Sequence, residues 1–485
     1  MRTIQRLFAS TLVSATASVA CGQAPATTLK PFVIEDAPVI VMEHVRVIDG
    51  TGALAKDDQW IEIVNGKIVY SGLQPKDQLT FGTPKVLDLS GKTVFPGLVG
   101  MHEHLFYPLP EGGPGLLPLY GEMADSAPRL YLAGGVTSAR TAGSLEPYTD
   151  LSVKQEIDAG KIPGPRLFIT GPYLEGSPSI GPQLHSLTGP DDATRTVNYW
   201  ADEGATSFKA YMHITPEELK AAVDAAHAKG LKITGHLCAV GFKEAAALGI
   251  DNLEHGLAVD TEFYPDKKSG VCPGQRPPQV ALSKLDVEGP EIQSTIKDLI
   301  AHHVAVTSTL AIFESFVPNR PPMSEAMRVR ESLLPQAWGD YVTVRAGIAG
   351  SPEPSLWATL FKQELQFERD FVKQGGLLMA GCDPTGYGGV LPGFGDQRNL
   401  ELLVEAGFTP EEAIHIATEN GAVWLGEDKH FGTIAAGKAA DLVVVNGNPS
   451  KDIHDVEKVE IVFKDGIGYS PGKLVESVRG LVGIR

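Results

Sequence analysis

Between Phe95 and about Gly426, short apolar runs alternate with amphipathic stretches, the rhythm of parallel strands joined by helices. The runs predict strands at Leu98–Met101, Val136–Arg140, Arg166–Thr170, Ser207–Ala210, Lys232–Gly235, Asn252–Glu254, Ala305–Thr309 and Leu377–Gly381. Eight strands are what a closed (β/α)8 TIM-like barrel needs. Helix starts lie in the gaps. Thr215-Pro-Glu-Glu218 and Thr409-Pro-Glu-Glu412 are capping boxes with proline in the first turn, and the first helix runs through Leu219, Ala222 and Ala226 to Gly230. Two stretches break the rhythm. Thr261–Glu288, after the sixth strand, is rich in Pro, Gly and Lys, and Ala311–Gln374, after the seventh, carries helical patches around Met323–Leu334 and Leu356–Gln374. Loops after the strands build the active site of such a barrel, and loops of this length form a lid or a substrate wall.

On either side the period changes to two. Strands are predicted at Val39–Ile48, Trp60–Val64, Lys67–Tyr70 and Val86–Leu89, with Asn65-Gly66 as a tight hairpin turn. The pattern returns at Asp441–Asn446 and Val459–Lys464, followed by Asp465-Gly466. A small β-sandwich domain built from both chain ends explains the split: residues 25–95 and 427–485 form it, and the barrel of residues 96–426 is inserted between them. Its histidines, His44, His430 and His454, read as surface or structural residues.

The first residues stand apart. Arg2 and Arg6 precede an apolar run from Leu7 to Ala20, too short to span a bilayer as a helix, and Ala15-Thr-Ala17 and Ser18-Val-Ala20 both fit a small-x-small cleavage site. Residues 1–24 are therefore expected to be a signal peptide, and the mature chain periplasmic or secreted, with no transmembrane span. Cys21 resembles the acylated cysteine of a bacterial lipoprotein, although Ser18 stands where such a motif usually has Leu; it is the candidate for a lipid anchor.

Composition narrows the partners. The chain has 485 residues, 43% hydrophobic and 21% charged, an ordinary soluble balance for two domains. Its formal net charge of -18 argues against nucleic acid or an anionic membrane as the main partner. A small molecule remains, and a homo-oligomer is compatible with the sequence. Four cysteines are too few for a disulfide framework. Cys238 and Cys382 each lie beside a strand end and could be neighbours, or simply small buried residues; no spacing resembles a cysteine zinc site.

The chemistry gathers at strand ends. Val94-Phe-Pro-Gly-Leu-Val-Gly-Met-His102-Glu-His104 reads as a short apolar strand stopping at two histidines that point the same way, with Glu103 on the other face. Two neutral imidazoles so placed can grip one metal ion. The fourth strand carries Lys209, the fifth ends at His236, the sixth at His255, and the eighth runs into Cys382-Asp383-Pro-Thr. In a barrel all of these converge on one mouth. Tyr211, two residues after Lys209 on the same face, is a candidate to bond substrate or intermediate. Arg140, ending the second strand, is a candidate for a substrate carboxylate, and His185, in the loop after the third, for a further substrate contact. His213 and His227 read as helix-face residues, His302-His303 as the turn into the seventh strand, and His415 as structural.

These residues resemble the amidohydrolase superfamily, in the branch of prolidase-like and imidazolonepropionase-related enzymes. The resemblance rests on Phe95-Pro-Gly-Leu with His102-x-His104, Phe208-Lys209, Gly235-His236, Leu253-Glu-His255-Gly256 and Asp383-Pro-Thr-Gly. It continues through Thr409-Pro-Glu-Glu-Ala-Ile and Gly432-Thr-Ile-Ala-Ala-Gly-Lys-Ala-Ala-Asp441-Leu, and so covers nearly the whole mature chain. It implies two divalent metal ions, zinc by the imidazole and carboxylate set. His102, His104 and Asp383 would hold one and His236 and His255 the other, bridged by Lys209 carboxylated with CO2. Burial and nearby cations would free the lysine amine for that reaction. A metal-bridging hydroxide would then attack an amide carbonyl, with Asp383 moving its proton to the leaving nitrogen. The expected activity is hydrolysis of a C–N bond in a dipeptide or an N-acyl amino acid. One departure is Arg140-Thr141, where the family often has Arg-Asp; it weakens the carry-over of substrate contacts there.

Rival readings are discriminated by residues. Mononuclear deaminases of the superfamily place a glutamate three residues after the fifth-strand histidine, where this chain has Ala239. A hydantoinase-like hydrolase of cyclic amides would use a similar metal set, as would a phosphotriesterase. A secreted, non-catalytic binding protein with the same barrel would be expected to have lost ligands that this chain keeps.

Overall fold

The computed structural model describes residues 28–75, 82–109, 119–350 and 355–483. The expected signal segment and Cys21 lie outside them. In chain order, β1 (Val33–Glu35), β2 (Val39–Val47), β3 (Lys56–Val64), β4 (Lys67–Gly72), β5 (Lys85–Asp88) and β6 (Thr93–Pro96) come first. They are followed by β7 (Leu98–Glu103), β8 (Phe106–Leu109), β9 (Leu119–Glu122), β10 (Val136–Thr141), β11 (Arg166–Phe168), β12 (Ser207–Ala210) and β13 (Lys232–Gly235). Next come β14 (Asn252–Leu253), β15 (Ala305–Ser308) and β16 (Leu378–Ala380), then β17 (Leu442–Val445), β18 (Val459–Lys464) and β19 (Ile467–Tyr469).

The fold is mixed α/β. Strands from both chain ends pair into one nine-stranded sheet, in the order β1-β19-β18-β17-β6-β2-β3-β4 with β5 on β2. The two ends are joined by β17 on β6, antiparallel, with Val443 opposite Phe95, and by β1 on β19. Ile40, Met42, Ile61 and Val94 from the first end share one apolar cluster with Leu442, Val444 and Phe463 from the last, which is why the ends meet. Asn65 and Gly66 both take positive φ, as the two-residue turn between β3 and β4 requires.

The middle of the chain supplies eight parallel strands in two sheets, β11-β10-β7 and β12-β13-β14-β15-β16. Hydrogen bonds cross both seams between the sheets. Thr170 bridges Ser207 in parallel and the Gly171 N–H donates to the Ser207 carbonyl at 2.9 Å. On the other side the Asp383 N–H donates to the His102 carbonyl at 3.0 Å, and Gly381 packs so close that a Cβ there would sit 2.2 Å from the His102 nitrogen. Helices cover the strands with buried stripes. Pro216–Ala228 starts at the expected capping box on Thr215 and Glu218 and buries Leu219, Ala222, Val223 and Ala226.

Three details differ from the sequence expectation. The apolar run before His102 is two strands, because at Gly97 the backbone passes Thr137 so closely that a Cβ would lie 2.0 Å from its hydroxyl. β6 goes to the end sheet and β7 to the parallel one. The long excursion contains a further helix, Pro335–Ala349, whose buried residues are only Ala337, Tyr341 and Arg345, so no apolar stripe announces it. Cys238 pairs in a disulfide with Cys272 rather than approaching Cys382, which is buried and free.

Candidate active site

Every predicted metal-ligand candidate arrives from a strand end. β7 delivers His102 and, just past its end, His104; β12 delivers Lys209; His236 follows β13, His255 follows β14 and Asp383 follows β16. His102, His104, Lys209, His255 and Asp383 are buried and His236 is half-buried. The rings of His102 and His104 are 5.3 Å apart, those of His102 and His255 4.7 Å, and those of His236 and His255 4.7 Å. Asp383 sits among them: its Oδ2 is 3.7 Å from His102 Nε2 and 3.9 Å from His255 Nε2, and its Oδ1 is 3.5 Å from His104 Nε2. Lys209 Nζ lies 3.3 Å from His102 Nε2.

The surroundings orient these groups. His102 Nδ1 is 3.0 Å from the Glu254 carbonyl and His255 Nδ1 is 2.7 Å from the Thr309 hydroxyl, so both rings turn Nε2 toward Asp383. The Tyr131 hydroxyl bonds both the N–H and the carbonyl of His104. Asp383 takes a left-handed φ of 48°, and the Thr385 hydroxyl donates to its Oδ1 at 2.8 Å. A non-glycine residue held in that conformation is a feature of sites where the fold fixes a side chain.

Charge states follow from burial. Burial pushes His104 down to about 4 and His236 down to about 3, the latter helped by Lys209, and holds His255 well below the usual imidazole range. These imidazoles are neutral, the form that binds metal. Burial opposes ionisation of Asp383, but His102 and a hydrogen bond from His104 outweigh it and hold its carboxyl well below the usual range. Burial also brings the Lys209 amine down to about 8, against the pull of Glu254 and Asp383. The ligand atoms of His102, His255 and Asp383 lie within 4.8 Å of one another, and His104 Nδ1 is buried with no hydrogen-bond partner. This donor set fits a divalent metal ion.

His104, Lys209, His236, His255 and Asp383 line a cavity of about 620 Å³, with His102 buried behind them. Tyr211 also lines it, and burial pushes its hydroxyl well above the usual phenol range, so it is a neutral donor. Both interrupted stretches reach the cavity, the first through Thr261, Gln275 and Gln279 and the second through Phe313, Phe316 and Trp357. Tyr120 and Tyr173 were not legible as site residues; they come from β9 and from the segment after β11, with no motif around them.

Two predicted substrate contacts are corrected. Arg140 is fully buried and its Nη2 reaches both Glu254 oxygens at 2.7 Å, so the guanidinium is committed to the structure beneath the site. His185 is exposed, bonds Asp192 at 3.0 Å and does not line the cavity, although its neighbours Gln183 and Leu184 do. His213 is likewise not a helix-face residue: it lies in the turn before Pro216–Ala228, with Nδ1 2.7 Å from buried Glu175. Among the described residues no helix is long and apolar enough to cross a membrane.

Eight parallel strands carrying a candidate metal-binding group at their ends define the class: a mixed α/β scaffold with its site at the strand ends. The pattern of the Amidohydrolase family matches residues 369–467. Over that stretch the chain is similar to the amidohydrolase family. No curated protein matches the sequence. Among solved structures, the chain is similar to a Xaa-Pro dipeptidase with methionine bound in its active site, at 21% identity and a TM-score of 0.63 over 89% of this chain and 100% of that one. It is also similar to A. niger ochratoxinase, at 18% identity and a TM-score of 0.63 over 92% of this chain and 100% of that one. A bottromycin amidohydrolase aligns at 17% identity with a TM-score of 0.66 over 96% and 98% of the two chains. At these identities the likeness establishes the fold.

Proposed function

We propose that the protein is a binuclear metal-dependent amidohydrolase that cleaves the C–N bond of a small linear substrate, a dipeptide or an N-acyl amino acid. The observation that carries this is the convergence of His104, His236, His255, Lys209 and Asp383 on one cavity, with His102 buried behind them. In this reading the eight parallel strands form a closed (β/α)8 barrel over residues 96–426, and residues 25–95 and 427–485 form the β-sandwich domain. The hydrogen bonds across both strand seams and the sheet shared by the two chain ends support that division.

His102, His104 and Asp383 would hold one ion, His236 and His255 a second, and Lys209, carboxylated by CO2, both. Such a pair of ions supplies an acidified water and a Lewis acid for the carbonyl oxygen. The rest is the chain's own work. Asp383, ionised and oriented by Thr385, accepts the proton of the attacking water and returns it to the leaving nitrogen. Tyr211 donates to the substrate or to the developing oxyanion. Zinc is the ion that the imidazole and carboxylate donors favour. The Cys238–Cys272 disulfide supports an oxidising, extracytoplasmic location, in keeping with a signal peptide at residues 1–24.

The test is a hydrolysis screen on the zinc-loaded mature chain with bicarbonate present. The panel holds Xaa-Pro and other dipeptides, N-acyl amino acids, hydantoins and lactones. Turnover of linear amides, reduced about 10²–10⁴-fold in Asp383→Asn, is the expected result. Turnover of cyclic amides alone would replace this reading with a hydantoinase-like one, and neither turnover nor bound metal would leave a binding protein.

A further inference from the structure

The cavity has two unlike ends. From His104, ring contacts lead through Tyr173 to Tyr211, 4.8 Å apart, a wall of hydroxyl-bearing rings. From His255 they lead the other way, to Phe313 at 5.4 Å. Phe313 stacks on Trp357, with centroids 5.6 Å apart and 25° between the planes, and Phe316 stacks on the same indole at 4.9 Å and 29°. All three rings line the cavity, and Val344 and Ile348 from Pro335–Ala349 add aliphatic surface to its lining.

The three rings owe their alignment to two helices. Phe313 and Phe316 are one turn apart on Leu310–Ser315 and its C-cap, directly after β15, and Trp357 is the second residue of Leu356–Lys373. None of the five side chains carries a charge or a carbonyl. A charged substituent lying on these five side chains would lose its water to surfaces that offer no counter-charge. An aromatic one would gain buried area and ring contacts beyond that area. The cavity volume of about 620 Å³ leaves room for a ring beside the scissile bond.

We propose that the Phe313–Trp357–Phe316 row is a side-chain subsite that makes the protein select amides bearing a bulky aromatic side chain next to the cleaved bond. This rests on the amide-hydrolase reading above and adds the substrate's side chain to it. Aromatic residues on the acyl and on the amine half share this chemistry, and the experiment separates them.

The metal-loaded protein is assayed with Phe-Ala, Ala-Phe, Ala-Ala, Lys-Ala and Ala-Lys, and titrated calorimetrically with N-acetylphenylalanine and N-acetylalanine. The expected result is a kcat/KM at least tenfold higher for one of the two Phe peptides than for Ala-Ala or the Lys peptides. The favoured isomer assigns the row to the acyl or the amine half. In Trp357→Ala that ratio falls toward one, and Trp357→Phe restores most of it. Binding of N-acetylphenylalanine over N-acetylalanine by at least tenfold, abolished in Trp357→Ala, supports the subsite even if no peptide is hydrolysed, in which case the amide-hydrolase reading alone fails. Equal binding of the two N-acetyl ligands, or a Phe-to-Ala ratio that Trp357→Ala leaves unchanged, overturns the proposal.

Discussion

Arg140 carries the residue-scale lesson. Its place at a strand end made it look like a substrate contact, yet it lies beneath the site, paired with Glu254 and also bonded to the Met101 carbonyl. Glu254 in turn holds His102 and accepts the Thr234 hydroxyl. The two partners are 114 residues apart, so no local spacing could pair them. The histidines were legible because each sits in its own short strand-end motif. We expect Arg140→Met to leave Glu254 buried without its guanidinium partner, a loss of about 3–5 kcal/mol. Because Glu254 orients His102, metal affinity should fall about 10–100-fold as well. Thermal unfolding and a zinc titration check this; parent-like values in both would mean that the pair does not support the ligand shell.

At the scale of elements, the wall-forming stretches were legible as interruptions but not as structures. The segment after β14 is tied back by the Cys238–Cys272 disulfide, whose cysteines are 34 residues apart, and by the Thr261 hydroxyl on the Cys238 carbonyl. Sequence alone could not choose among cysteine partners, because pairing depends on where a loop returns. Closing a loop of that length removes on the order of 3–4 kcal/mol of unfolded-state entropy. Cys272→Ser should therefore lower the unfolding midpoint. It should also raise KM more than it lowers kcat, since the freed segment carries Gln275 and Gln279 to the cavity wall. An unchanged KM would detach the loop from substrate binding.

The helix Leu356–Lys373 makes a different prediction. It buries Glu364 against Gly256, with the Ala258 N–H on Oε2 and nothing on Oε1. Burial pushes this carboxyl up to about 8, against the lowering effect of the Ala258 N–H. Between about 4.5 and about 8 the unfolded chain has released a proton that the folded chain keeps, so stability falls as pH rises through that window. Glutamine has no proton to lose. Glu364→Gln should gain thermal stability relative to the parent on going from pH 5 to pH 8, and an equal difference at both values would show that the group is not protonated in the fold.

At the scale of the whole molecule, the period-two pattern at both chain ends was enough to pair them, because both ends bury residues in one apolar cluster. The cavity was not legible in the same way, since its walls come from segments with no common pattern. The ligand candidates span His102 to Asp383 and come from five strand ends, so any ion they share ties distant parts of the chain together. An ion that binds only the folded state stabilises it by RT ln(1 + [L]/Kd), about 2.7 kcal/mol at a hundredfold excess over Kd. The net charge of -18 further favours cation capture at low salt. Stripping with a chelator should thus lower the unfolding midpoint and abolish hydrolysis, and zinc with bicarbonate should restore both at two ions per chain. With bicarbonate removed, occupancy should fall if carboxylated Lys209 bridges the ions, and Lys209→Met should bind fewer than two under either condition. A midpoint indifferent to stripping and reloading would remove the metal from the fold and, with it, the catalytic role of Asp383 argued above.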